Sequence, residues 1–214
     1  MPTQTTRQDA GRSAAPDVRA RETLILGKPP RIAPLAPNEL GEEAAQSALA
    51  LRKAASAPLS AEVTEFTATM LRHPALYRRH SELAIQLYTG ALVPRDRELL
   101  VLRIGWLCQA PYEWGEHVKI GKRVGLTDQE IERVIEGSTA AGWNEHERAL
   151  LSAVEELYGN AMISDETWAV LARKLDEKQL IELPLIVGQY QGVAYLQNSL
   201  RLRLIAGNTG LSAR

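Results

Sequence analysis

Three helix-start signatures of one form punctuate the second half of the chain: Thr127-x-x-Glu130, Asn144-x-x-Glu147 and Asp176-x-x-Gln179. In each, a short polar side chain caps the amide three residues on, and the Glu or Gln there reaches back to the cap's own amide. Ser164, followed by Asp165 and Glu166, marks a fourth start, with its acids placed at the positive end of a helix. No segment alternates apolar and polar residues between turn signals, so nothing in the chain reads as a half-buried strand. Helices without strands bury their apolar faces only against other helices, and the expected class is all-α.

The same reading places the remaining elements. Met1 to about Arg21 is polar and reads as a mobile tail. Its Arg7, Arg12, Arg19 and Arg21 leave a transit peptide as the less favoured alternative. Glu22–Pro37 carries Pro29, Pro30, Pro34 and Pro37, which rule out a continuous helix and suggest an extended arm. Residues 1–30 are thus a tail and arm, and 31–210 one helical domain. Within it, Asn38–Ala55, Ser60–Leu71 (with Ser60 as a cap), Pro74–Tyr88, Arg95–Leu107 and Tyr112–Val124 read as helices, Gly125 as a stop, and Leu180–Leu204 as a long apolar helix interrupted at Gly188 and Gly192.

Composition narrows the function classes. Apolar residues make up 45% of 214, enough for a globular core. Lys and Arg number 25 against 26 Asp and Glu, a balance that gives no electrostatic reason to expect nucleic acid or an anionic membrane as a partner. No apolar run approaches the 18 residues of a membrane span, and the first 22 residues hold no apolar stretch, so no secretory signal is expected. A lone cysteine, Cys108, excludes a disulfide framework and fits a reducing compartment, so the expected location is cytoplasmic.

Chemistry-bearing residues concentrate in Pro94–Glu130. Glu113 and His117 are four apart, on one face of a helix. Glu98 lies near the start of the preceding apolar segment, and reaches the imidazole if the two helices fold back on each other. Two carboxylates and a histidine in a pocket would move protons near neutral pH. The plain alternative is an i,i+4 surface ion pair. The three groups match no zinc signature, and the Glu-x-x-His of carboxylate bundles is one residue shorter, so no metal site is expected.

Arg97-Glu98-Leu99, Tyr112-Glu113-Trp114, His117 and Gly125-Leu126-Thr127-Asp128 with Glu130 together resemble the core motif of the carboxymuconolactone decarboxylase family, which includes the alkylhydroperoxidase D proteins. Arg31–Leu40 and Glu147–Leu204 resemble its flanking segments, so the likeness spans about residues 31–205. It implies an alkylhydroperoxidase D-like helical bundle assembled as a trimer or hexamer, and the apolar Leu180–Leu204 segment gives a physical reason for a homo-oligomer. The peroxidase branch uses Glu…Cys-x-x-Cys-x-x-x-His. Laid on this chain, Glu98 and His117 match its Glu and His, but Ala110 and Glu113 stand where the cysteines belong. The attacking and resolving thiols of a peroxidase cycle are missing, and the alkylhydroperoxidase reading becomes the alternative.

For a chain lacking those thiols, the resemblance implies a cofactor-independent decarboxylase-like reaction on a small carboxylated lactone or related acid. Glu98, Glu113 and His117 are the catalytic candidates. The Glu matching Glu98 belongs to a proton relay in the peroxidase branch, and His117 delivers the proton with Glu113 or Glu98 supporting its charge. Tyr112, Trp114, Trp106 and Arg97 are the substrate-binding candidates: the aromatics as an apolar wall, Tyr112 as auxiliary acid, and Arg97, ahead of Arg95 and Arg103, as a carboxylate clamp. Core packing is the competing role for Trp106, and a helix-surface cation for Arg97. Gln189 and Tyr190, polar groups inside an apolar helix, either line the same pocket or fix an interface. His73, His80 and His146 read as solvated or structural. A non-catalytic helical binding or assembly protein is the rival from another class.

Overall fold

The structure is a computed structural model that describes residues 17–54 and 63–214. Ten α-helices account for most of them: α1 Val18–Leu26, α2 Glu42–Ala54, α3 Glu65–Met70, α4 Pro74–Tyr88, α5 Pro94–Leu107, α6 Pro111–Arg123, α7 Asp128–Glu136, α8 Glu145–Asn160, α9 Asp165–Leu171 and α10 Glu177–Leu200. Two short 3-10 turns, Pro37–Glu39 and Gly210–Ser212, complete the order. Among the described residues there is no strand, and the all-α expectation holds.

The predicted caps form. Thr127, Asn144 and Asp176 each accept from the amide three residues on, and the Glu or Gln there answers in all three cases. Ser164 caps α9. Pro74, Pro94 and Pro111 open their helices in the first turn, where a missing amide hydrogen costs nothing. Gly125 follows α6 with φ +94°, a backbone region that L side chains resist.

Two expectations are corrected. Val18–Arg21 is helical rather than tail, because Asp17 caps Ala20, Ile25 is buried, and Glu22 accepts the Leu211 amide at 2.7 Å. Residues 1–16 and the Ser60 cap lie outside the described residues; α3, which begins at Glu65, is capped by Thr64. Gly188 and Gly192 do not interrupt α10, which runs 24 residues and even contains Pro184. Packing compensates for these residues' poor helix propensity: Leu183, Ile186, Val187, Tyr190 and Ala194 are all buried against the rest of the bundle.

α5 is the central rod. Leu99 to Leu102 and Ile104 are fully buried, and α6, α8, α7 and α10 all pack on it. α6 folds back along α5 through the tight Cys108–Ala110 turn, in which Gln109 adopts φ 47°. α10 fixes the entry to α5: Glu182 accepts the Ala91 and Leu92 amides at 2.8 and 2.9 Å, and Gln179 donates to the Ala91 carbonyl. The C-terminal turn closes over α6 at Gly115, where a Cβ would lie 1.8 Å from Asn208 Oδ1. No helix of the described residues is long and apolar enough to cross a membrane.

Candidate active site

The α5–α6 fold-back brings Glu98 and His117 together. His117 Nδ1 lies 2.7 Å from Glu98 Oε2, and Glu98 has no exposed surface. A carboxylate offers only acceptors, so the ring nitrogen donates, and Nε2 is the nitrogen outside this contact. The other carboxylate oxygen accepts from Arg97 Nε at 3.2 Å. Arg97 also donates to the Tyr88 carbonyl at 2.8 Å and stacks its guanidinium 4.6 Å from the Tyr88 ring centroid. A buried carboxylate held by a guanidinium and an imidazole satisfies the rule that buried charge needs partners.

Two aromatics flank the imidazole. Tyr190 of α10 meets it edge-on at 4.9 Å, and Tyr88, at the end of α4, lies roughly parallel at 6.5 Å. The two tyrosines hydrogen-bond each other, and burial pushes both phenols above their ordinary range. Both stay neutral donors at any physiological pH.

Glu113 behaves differently. It is 2% exposed, and neither carboxyl oxygen has a hydrogen-bond partner. It lies beside α5 at Gly105, where an added Cβ would sit 3.7 Å from its Oε1. Burial raises its carboxyl well above the usual range, so it is held as the neutral acid. It is therefore not the imidazole's charge partner; Glu98 is.

The other sequence candidates settle at varying distance from this centre. Trp114 is fully buried, its indole N–H donates to the Ala213 carbonyl at 3.1 Å, and its ring packs 4.9 Å from Trp106. Both tryptophans thus anchor the C-terminal turn. Tyr112 is buried, and its main-chain carbonyl accepts from Asn208. Arg97 is already engaged by Glu98 and Tyr88. Arg95 pairs with Glu130 and Glu147, and Arg103 with Glu155. Of the open pair, Tyr190 turns to His117, whereas Gln189 faces His80 at 3.0 Å across a cleft of about 260 Å³. Sequence reasoning missed Tyr88, which was visible only as the last residue of an amphipathic helix.

It also missed a second dyad. His146 Nε2 lies 2.7 Å from Asp96 Oδ2, the pair is nearly buried, and Nδ1 has no partner. His146 borders a cleft of about 500 Å³ with Asn144, Arg173 and Lys174. Neither this cleft nor the one at His80 is lined by Glu98, Glu113 or His117.

Cys108 is buried, and its thiol is pushed up to about 12, chiefly by burial. It is not a thiolate at neutral pH.

Residues 72–156 match the model of the carboxymuconolactone decarboxylase family. That stretch contains α4 to α7 and nearly all of α8, and with them Tyr88, Glu98, Glu113 and His117. The whole fold is alkylhydroperoxidase D-like. A protein of unknown function from Agrobacterium tumefaciens, a candidate antioxidant defence protein AhpD, matches with TM-score 0.60 at 19% identity, over 64% of this chain and 95% of that one. An uncharacterised peroxidase-related protein from Ralstonia eutropha JMP134, with an alkylhydroperoxidase AhpD core, gives TM-score 0.65 at 15% identity, over 95% and 99%. The debrominase Bmp8 gives TM-score 0.65 at 17% identity, over 83% and 94%. At these identities the likeness speaks for the fold. No curated protein matches the sequence.

Proposed function

We propose that this protein is a cofactor-independent lyase of the carboxymuconolactone decarboxylase type, acting on a small carboxylated lactone or a related acid. The observation that carries this reading is the pairing of a buried Glu98–His117 dyad with a neutral, unpartnered Glu113 one helical turn before His117. Carboxylates in environments this different take different roles: Glu98 orients and supports the imidazole, while Glu113 is a proton reservoir.

The reaction follows from these roles. The carbon–carboxylate bond breaks and carbon dioxide leaves, and its electron pair delocalises into the conjugated carbonyl of the substrate. The imidazolium form of His117, stabilised by Glu98, gives its Nε2 proton to the carbon and is left as the neutral imidazole with its Nδ1–H still on Glu98. The phenol hydroxyls of Tyr88 and Tyr190 are neutral donors suited to polarising a carbonyl oxygen. Thiol peroxidase chemistry is disfavoured by Ala110 and Glu113 at the cysteine positions and by the un-ionised Cys108.

One observation favours a non-catalytic use of the fold: the clefts at His80 and His146 lie away from the Glu98–His117 dyad. A turnover screen of small carboxylated lactones and β-keto acids, followed by His117→Ala on any hit, separates the two. Turnover lost in that variant supports the lyase; turnover unchanged by it rejects this site, and no hit in the panel favours the binding protein.

A further inference from the structure

Three arginines line one cleft that the proposed chemistry does not reach. Arg21 of α1, Arg31 of the proline-rich segment and Arg201 at the end of α10 line one cleft of about 260 Å³, with Asn198 and Ser199. Leu24 and Ile25 supply an aliphatic side. Among the described residues, ion pairs engage Arg79, Arg95, Arg97, Arg103, Arg173 and Arg214. Arg21, Arg31 and Arg201 belong to none of them.

Arg21 is fixed in place: it donates to the Gln109 and Cys108 carbonyls at 3.1 and 3.3 Å. Asn198 donates to the same Cys108 carbonyl at 3.2 Å. Neutral carbonyls orient a guanidinium without cancelling its charge. Arg201 caps α10 in the left-handed conformation, φ 57°. The negative end of a helix is equivalent to about half an elementary charge, which answers for part of one cation and not for three. A cleft lined by three arginines outside every ion pair of the described residues, beside an apolar wall, is suited to a carboxylate or phosphate group with a hydrocarbon body.

We propose that this cleft binds a small organic anion, its acidic group between Arg31 and Arg201 with Arg21 behind, and its body against Leu24 and Ile25. The site stands independently of the lyase reading, since it shares no residue with it.

The test is calorimetric titration of the full chain with hexanoate, succinate and inorganic phosphate at constant ionic strength. Saturable binding of hexanoate is expected. Arg31→Ala/Arg201→Ala should weaken it by roughly tenfold or more, the scale of one lost charge-assisted contact. Neither guanidinium makes a side-chain bond among the described residues, so the variant should melt like the parent. Leu24→Glu, at a position 57% exposed, places a competing carboxylate in the cleft and should abolish binding by a different route. Arg79→Ala, remote from the cleft, should change nothing. Equal heats in all four proteins, or heats that never saturate, overturn the proposal. So does co-sedimentation with phosphatidylglycerol vesicles when the soluble anions do not bind, since the cleft would then read a lipid surface.

Discussion

Two histidine–carboxylate dyads spring from the first turns of α5, two residues apart, and they are built differently. Asp96–His146 and Glu98–His117 have the same 2.7 Å separation and are both largely buried. Beside Asp96–His146, the cleft carries surface charges: Arg173 pairs with Glu145, and both side chains are more than 60% exposed. Around Glu98–His117, the second carboxylate oxygen is held by Arg97, two tyrosine rings flank the imidazole, and Glu113 carries a proton with no partner at all. A dyad alone is a common way to tie two helices together. The neutral acid and the aromatic enclosure are what distinguish a centre suited to proton transfer from a structural clasp.

The largest expected difference is catalytic. On any substrate the protein turns over, His117→Ala should lower the rate about 10²–10⁴-fold, the usual contribution of a positioned proton-transfer group. His146→Ala should leave the rate near the parent's. Steady-state kinetics of both variants checks this, and equal losses would erase the distinction drawn between the dyads. Stability should follow in second place. Glu98→Ala strands Arg97 and His117 in the interior and is expected to cost about 3–5 kcal/mol in denaturant unfolding. Asp96→Ala strands one imidazole and no guanidinium, and should cost less.

The contrast also marks what the sequence could show. Helix starts were legible because capping is local: Thr127, Asn144, Ser164 and Asp176 satisfy amides three residues away, and all four form. Glu98 and His117 were legible through spacing and family resemblance, and the fold-back that joins them puts them in contact. Tyr88, Asp96 and His146 were not, because their partners lie 29, 50 and 50 residues off in sequence, taking Tyr88 to His117 as the first. Trp106 and Trp114 stood in the right segment, but which way an indole points depends on the C-terminal turn that covers it. The α1 helix was hidden for the same reason: its stability comes from Leu211 and the Cys108–Gln109 turn, far along the chain.

Glu113 offers a sharper test than either dyad, through the sign of its pH dependence. Its folded-state carboxyl titrates above the unfolded value of about 4.5. The native state therefore holds a proton that the unfolded chain releases. Stability contributed by this group is present below about pH 4.5 and is lost as pH rises towards the folded value, at up to about 1.4 kcal/mol per pH unit. Glu113→Gln keeps the shape and removes the titration. The variant should gain on the parent steadily above pH 4.5, read as a difference in unfolding midpoints between pH 4 and 8. Parallel curves would mean that Glu113 is ionised in the native state and is not the acid of the proposed reaction.

The smallest effect concerns the aromatic enclosure that only the Glu98–His117 dyad possesses. Tyr88 and Tyr190 share a hydrogen bond between buried hydroxyls. Removing one partner leaves the other desolvated and unsatisfied, whereas removing both leaves two rings of nearly unchanged shape. Tyr88→Phe or Tyr190→Phe should each cost about 1–3 kcal/mol, and the double variant should cost less than the sum of the two. Unfolding of the four proteins closes the cycle. If the costs add, the hydroxyls do not depend on each other. The enclosure would then be apolar packing alone, and the two phenols would lose their standing as a coupled donor pair beside His117.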